Sequence, residues 1–347
     1  MEVKIKFNKI KHIILFGGSR LTAEIAQHIL KDRLYSFSIY TCDRQLNDAI
    51  YDGETLGDFL KDRNISYVST NDINTVPDLL SEITENSLGL GLGEAWSFSK
   101  EIIEAFGGRL LDIMGIRLPQ YRGGAHYTWQ ILRKNKIGGC NLQVINEDMI
   151  QGVFDSGEII KTREYFFPAV ARTPDDYFEI AVKQEIDFIK EFLDEVKNGQ
   201  VFELGRIQEN FSMYFPRLNT LKHGIIDWSW DTNDIENFIC AFDEPYAGAT
   251  TFIDGKKVHL KDCYSEFNEG PFHPFQAGLI YKIYSNAVFI ATRSGTLIVR
   301  RVLDENGKNI IGKLRTGQRF FTPIKYLEEA MTVSVEYSSE GIIEKNK

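Results

Sequence analysis

Short apolar runs alternate with helix-spaced segments along the N-terminal part of this chain. That alternation constrains the fold more than any other feature. His12–Phe16 is an apolar run, Gly17-Gly18-Ser19 a turn, and Leu21–Leu30 has helical periodicity. Phe37–Thr41, Ile65–Ser69 and Leu88–Leu92 read as further strands, with a helix over Val76–Glu85. The pattern continues with strands over Arg109–Met114, Cys140–Asn146 and Glu158–Phe166 and a helix over His126–Asn135. Thr173-Pro174-Asp175-Asp176 supplies an N-cap, a proline at the first helical position and first-turn acids. The long amphipathic helix it opens runs to about Lys197, where Asn198-Gly199 stops it. Strands alternating with helices imply β-α-β units, hence a mainly parallel, Rossmann-like α/β sheet.

The style changes after residue 200. Gln200 to His223 lacks strong periodicity, and a short helix follows over Asp234–Phe242. Then come short β runs at Ala249–Ile253, Lys257–Lys261, Gly278–Tyr284, Ala287–Thr292 and Thr296–Arg301, the spacing of a small barrel or sandwich. The expected organisation is an α/β domain over 1–205, a connecting segment over 206–245, a smaller β-rich, open-barrel-like domain over 246–325 and a tail over 326–347 that frays at its end.

Four scattered cysteines without a C-x-x-C pair argue against a disulfide framework or a zinc ribbon and fit a reducing cytoplasm. No metal site is expected. No apolar stretch approaches a membrane span. With 40 Lys+Arg against 49 Asp+Glu, the net charge of −9 disfavours sequence-independent nucleic-acid binding. Gly17-Gly18-Ser19-Arg20, with Asp43 after the second strand, invites a dinucleotide reading. It is not G-x-G-x-x-G, and a glycine pair after a first strand more often simply makes the turn.

The informative stretch runs from Arg109 to Ile160. Leu118-Pro119-Gln120-Tyr121-Arg122-Gly123 matches L-P-x-Y-R-G, and Asp155-Ser156-Gly157-Glu158-Ile159 matches D-x-G-x-I, with a helix and a strand between them. Together these resemble the formyltransferase family of methionyl-tRNA formyltransferases and nucleotide-sugar N-formyltransferases. Gly224-Ile225-Ile226-Asp227-Trp228 and Pro245-Tyr246-Ala247-Gly248-Ala249 look like that family's inter-domain segment. The resemblance implies transfer of a formyl group from 10-formyltetrahydrofolate to a primary amine. The acceptor it suggests is a nucleotide-linked amino sugar rather than tRNA, since an acidic chain suits a polyanion poorly. It also raises the expectation of a homodimer.

The departures from the family fall at its catalytic Asn-x-His, where this chain has Asp112 and Met114; of the three catalytic positions, Asp155 alone is kept. The reaction gathers negative charge on a carbonyl oxygen and needs a base for the amine proton. Met114 has no hydrogen to donate, and an ionised Asp112 only accepts. Three alternatives stand: a proton shared between Asp112 and Asp155, a replacement donor such as His126, Tyr127 or Arg117, or chemistry that has changed or been lost. The last would leave a protein that binds folate or nucleotide-sugar without turnover, or a different acyl or one-carbon transferase. The resemblance places Gly93, Glu94, Trp96, Phe98, Leu118 and Asp148 beside the folate, and Arg117, Arg122, Gly123 and Tyr127 beside the substrate. For Trp96 and Phe98 a core role at a strand–helix corner is equally open.

Overall fold

The computed structural model describes residues 4–7, 9–33, 35–151, 156–338 and 341–345, and the chain divides into two compact units. The first comprises residues 1–122, 137–165 and 180–214. Its sheet is built from β1 (His12–Gly17), β2 (Ser36–Thr41), β3 (Val68–Ser69), β4 (Ser87–Leu92), β5 (Leu110–Met114), β6 (Ile137–Val144) and β7 (Ile159–Phe166), in the order β7-β6-β5-β4-β1-β2-β3. The five strands from β3 to β5 run parallel, and β6 pairs antiparallel to β5. The sheet is therefore mainly parallel, as the alternation of elements implies.

Both faces of this sheet are covered, which is why its strands read as continuous apolar runs. Ile13, Leu15, Leu111, Ile113, Cys140 and Leu142 point into one core with Ile25, Ile29, Ile189 and Phe192. Their neighbours Ile14, Phe16 and Leu110 point into a second core with Phe98, Ile102 and Phe106. The long helix occupies Pro174–Lys197, and Asp176 closes its first turn by accepting from the backbone N–H groups of Arg172 and Thr173 at 2.7 and 2.8 Å.

Three expectations are corrected by local chemistry. The strand over Ile65–Ser69 shrinks to Val68–Ser69 because it lies at the sheet edge, with only β2 to pair with. The helix over Val76–Glu85 reduces to Leu79–Glu82, with the backbone turning extended at Ile83, φ −74 and ψ 116. Val201–Glu203, in the segment lacking periodicity, pairs antiparallel with Lys4–Lys6.

The second unit comprises residues 123–136, 166–179 and 215–347. Its six-stranded sheet uses β8 (Ala249–Ile253), β9 (Lys256–Glu266), β10 (Ile280–Tyr284), β11 (Ala287–Ala291), β12 (Thr296–Asp304) and β13 (Phe320–Phe321), in the order β10-β11-β12-β9-β8-β13. The sheet curls until an antiparallel bridge between Leu279 and Arg319 joins its two edges. Helix Thr232–Ala241 is tied to this sheet through Arg172. That guanidinium pairs with Glu236, donates to the Cys263 carbonyl at 2.6 Å and lies 4.2 Å over the Tyr264 ring. In place of a frayed end, the chain forms a helix over Ile324–Thr332 and pairs Ser334–Ser338 with Gly341–Lys345.

Candidate functional site

In the first unit, chain order reverses between β1 and β4. Open α/β sheets bind ligands at the carboxyl ends of the strands at such a point. The ends are drawn tightly together there. Gly17 has φ +127, and a Cβ on it would lie 2.7 Å from the Leu92 carbonyl oxygen. A Cβ on Gly18 would lie 2.5 Å from the Gln45 side chain. The glycine pair thus serves a close turn, and Ser19 caps the helix that follows by accepting from Leu21 N–H.

Further along the sheet, three strands place a row of residues side by side. Gly91 of β4 is in register with Asp112 of β5, and Asp112 is in register with Gln143 of β6. Glu94, on the loop after β4, turns its carboxylate back over this row. A Cβ built on Gly91 would lie 2.6 Å from Glu94 Oε2 and 3.1 Å from Asp112 Oδ1, so the two carboxylates converge on the place that a side chain at residue 91 would take. Asp112 is 7% exposed and Gln143 4%. Gln143 Oε1 is buried without a hydrogen-bond partner, which costs free energy unless something else supplies a donor. Met114 follows on the same face, opposite Asn141, whose amide donates to the Ile116 carbonyl.

The residues expected to line a folate site divide. Gly93 has φ +79 and open space where a side chain would be, and its carbonyl accepts from Gln45 Nε2 at 2.7 Å. Trp96 packs on the second core with its Nε1 buried and unpartnered. Phe98 is 2% exposed and meets Phe16 edge-on at 4.9 Å, so it supports the site from within the core. Leu118 is half-buried, in the turn after β5. Asp148 is exposed, and its backbone N–H donates to Asn146 Oδ1 at 3.1 Å.

Arg117 Nε donates to Glu164 at 2.6 Å, and Arg122 grips Glu209 with two bonds of 2.8 Å. Both guanidiniums are thereby fixed in place. Gly123, His126 and Tyr127 belong to the second unit. Gly123 has φ +104. Tyr127 stands near Phe167 and Tyr177, with ring centroids at 6.5 and 6.2 Å. Burial pushes the His126 pKa down to about 4, with the Arg217 guanidinium acting in the same direction, and its Nδ1 is buried without a partner. Asp155 lies outside the described residues.

Sequence reasoning missed Gln45, Gln143 and Glu185. Gln45, in the short helix Asp43–Leu46 that follows β2, donates to the Gly93 carbonyl. Glu185, on the long helix, sits against the glycine after Met114: a Cβ on Gly115 would lie 2.2 Å from Glu185 Oε1. Burial raises its pKa to about 7. A signal for Gln143 was present: Asn141 and Gln143 alternate with Cys140 and Leu142, which puts two amides on one face of a buried strand.

Comparison with known proteins adds family evidence to this geometry. Residues 220–315 match the family described as formyl transferase, C-terminal domain. The methionyl-tRNA formyltransferase of Ruminiclostridium cellulolyticum is 22% identical over 237 residues, covering 67% of this chain and 72% of the relative. Among solved structures, the chain is similar to WlaRD, a sugar 3N-formyltransferase crystallised with dTDP and 5-N-formyl-THF. There the TM-score is 0.60 at 21% identity, over 86% of this chain and 99% of that one. It is also similar to the N-formyltransferase from Helicobacter canadensis in complex with folinic acid and dTDP-3-aminofucose, with a TM-score of 0.61 at 17% identity, over 84% of this chain and 98% of that one. At these identities the structural likenesses show the fold.

Proposed function

Because the chain belongs to the formyltransferase family, we propose that it moves a formyl group from 10-formyltetrahydrofolate to a primary amine on a nucleotide-linked sugar. The observation that carries this reading is the convergence of Glu94 and Asp112 over Gly91 at the ligand-binding end of the sheet. The residues present fit a folate. Trp96 offers a buried N–H with no acceptor, and the Gly93 backbone is unobstructed. When bound, 10-formyltetrahydrofolate supplies the formyl carbon.

The chain's own groups divide the remaining work. Asp112 holds the acceptor amine and takes up its proton at a carboxylate oxygen, the task of a general base within hydrogen-bond reach. Glu94 supplies a second carboxylate beside it. Met114 contributes apolar surface only. Trp96 Nε1–H would be the donor available to an oxygen of a bound folate. Asp155, kept from the family's catalytic positions, orients the amine on the strength of the sequence resemblance alone.

A sugar acceptor is favoured over tRNA by the net charge of −9, which repels a polyanion. The test is product mass analysis after incubation with 10-formyltetrahydrofolate and, separately, a dTDP-linked amino sugar and methionyl-tRNA. A mass gain on the sugar supports the reading. A gain on the tRNA alone moves the acceptor to the second class, and no gain on either rejects formyl transfer to these acceptors.

A further inference from the structure

The outer surface of the curled sheet in the second unit holds a cavity that formyl transfer leaves unused. β8 and β13 pair antiparallel, with Ile253 opposite Phe320 and Phe252 opposite Phe321. Phe320 is buried and stacks on Trp228, so the first pair faces the interior and the second faces outward. Helix Ile324–Thr332 folds back over the outward pair but covers only half of it. Tyr326 stacks on Phe252 with ring centroids 4.6 Å apart, which leaves Phe252 8% exposed, whereas Phe321 beside it is 61% exposed. A cavity of about 260 Å³ remains, lined by all three rings.

The polar groups of this cavity are only partly used. Lys325 lies 4.8 Å over the Tyr326 ring and forms no ion pair among the described residues. Arg319 donates through Nη1 to the Phe275 carbonyl, which leaves its other guanidinium N–H groups for a ligand. Asp254 accepts from Gln318 Nε2 at 2.6 Å through Oδ2 and keeps Oδ1. It belongs to the two-residue turn between β8 and β9, where Asp254 and Gly255 have φ +50 and +76, and a Cβ on Gly255 would meet nothing within 4 Å. Two cations against one carboxylate give the lining a net positive charge, on a chain whose net charge is −9.

These features select among ligands. An aliphatic chain would use the rings and ignore the cations. A small inorganic anion would use the cations and leave Phe321 in water. A planar ring with an anionic substituent uses both, the ring stacking on Phe321 and the anion meeting Lys325 and Arg319. Asp254 Oδ1 and the Tyr326 hydroxyl then serve the N–H and carbonyl groups of a heterocyclic base, which a phenyl ring lacks. The volume lies just below the roughly 300–1,000 Å³ of complete small-molecule pockets, so one base enters and its phosphate stays at the rim. A long polyanion is disfavoured by the net charge of the chain.

We propose that this cavity binds a free nucleotide, with the base on Phe321 and the phosphate held by Lys325 and Arg319. Every lining residue belongs to the second unit, so the site is separate from the row at the end of the first unit's sheet and does not depend on the formyl-transfer reading.

The test uses the full chain with adenosine 5′-monophosphate, since stacking on an aromatic side chain tolerates any base. Photolabelling with the 8-azido derivative and peptide mapping locate the nucleotide, and equilibrium dialysis gives Kd for wild type, Phe321→Ala and Lys325→Ala. Both side chains are exposed, so both variants should keep the wild-type melting temperature and any formyl transfer the wild type performs. The expected result is label on residues 316–334, with Kd raised tenfold or more by Phe321→Ala and several-fold by Lys325→Ala. Adenosine and ribose 5-phosphate should each bind at least tenfold more weakly than the whole nucleotide. Label confined to the first unit, no saturable binding at millimolar nucleotide, or a Kd unmoved in both variants overturns the site. Ribose 5-phosphate binding as tightly as the nucleotide overturns the base platform and leaves an anion site only. A single-stranded oligonucleotide that binds a hundredfold more tightly than the mononucleotide, with the same sensitivity to Phe321→Ala, overturns the free nucleotide as occupant. Nucleotide binding at this cavity in a chain that formylates no amine supports the site and removes only the functional reading.

Discussion

Replacing Glu185 by Gln should stabilise the first unit at neutral and alkaline pH and leave it nearly unchanged in acid. Glu185 is buried against Gly115, and burial raises its pKa from 4.5 to about 7. A carboxyl whose pKa is raised in the folded state favours folding while it is protonated. That stability is fully present below pH 4.5 and is lost as the pH rises through 7. Each tenfold change in proton affinity is worth about 1.4 kcal/mol, so the full loss approaches about 3 kcal/mol. The loss is under about 1 kcal/mol at pH 5, only half a unit above the unfolded pKa of 4.5, and close to about 3 kcal/mol at pH 8. Gln mimics the protonated acid and carries no charge at any pH. The neighbours do not reverse this sign, because the nearest titrating groups, Cys140 and Tyr165, are themselves pushed up by burial and by the Glu185 charge. Urea unfolding of both proteins, followed at pH 5 and pH 8, measures the difference. A stability gain that is equal at the two pH values, or larger at pH 5, would refute the reasoning.

Other predictions follow the same geometry. Gly91→Ala places a methyl group 2.6 Å from the end of the Glu94 side chain, which is free to swing aside; the fold and the folate-induced thermal shift should survive while amine formylation falls at least tenfold. Asp112→Asn removes one carboxylate from the amine site, and loss of a charge-assisted bond worth about 1.5–3 kcal/mol should lower kcat/KM by about ten- to hundredfold; activity held or raised would favour Asp112 as a neutral donor to the formyl oxygen. His126 should titrate near pH 4 in a ring-proton NMR series, and since its pKa is lowered, its contribution to stability is complete above pH 6.5 and fades as the pH falls through 4. An inflection for His126 between pH 6 and 8 would contradict the burial described for it. Asp155→Asn should abolish turnover; activity at the wild-type rate would remove this residue from the site.

Much of the scaffold was legible because its signals are local. Thr173, Pro174 and Asp176 mark the start of the long helix, and the structure begins it at Pro174. The barrel strand Ala249–Ile253 has the bounds its apolar run implies. Helix Ile324–Thr332 was not legible, because its apolar stripe is short and it follows a stretch without periodicity. The candidate site divides along the same line. Asp112 and Glu94 could be proposed from motif spacing, but their convergence depends on Gly93 at φ +79, which turns Glu94 back over β4. The alternation around Gln143 marks a polar face of β6, but its place beside Asp112 follows only from the antiparallel register of β6 on β5, because a one-residue slip would send its side chain to the opposite face. Glu185 reaches Gly115 from a helix about seventy residues away in sequence, a long-range contact that no spacing rule records.

The most direct measurement of the central claim is mass spectrometry of the acceptor after incubation of the wild-type chain with 10-formyltetrahydrofolate and a dTDP-linked amino sugar. The account predicts a sugar heavier by one formyl group, formed only when both compounds are present, and loss of that product in Asp112→Asn and Glu94→Gln at limiting amine. An unchanged sugar, in a preparation that 5-formyltetrahydrofolate visibly stabilises, would contradict it.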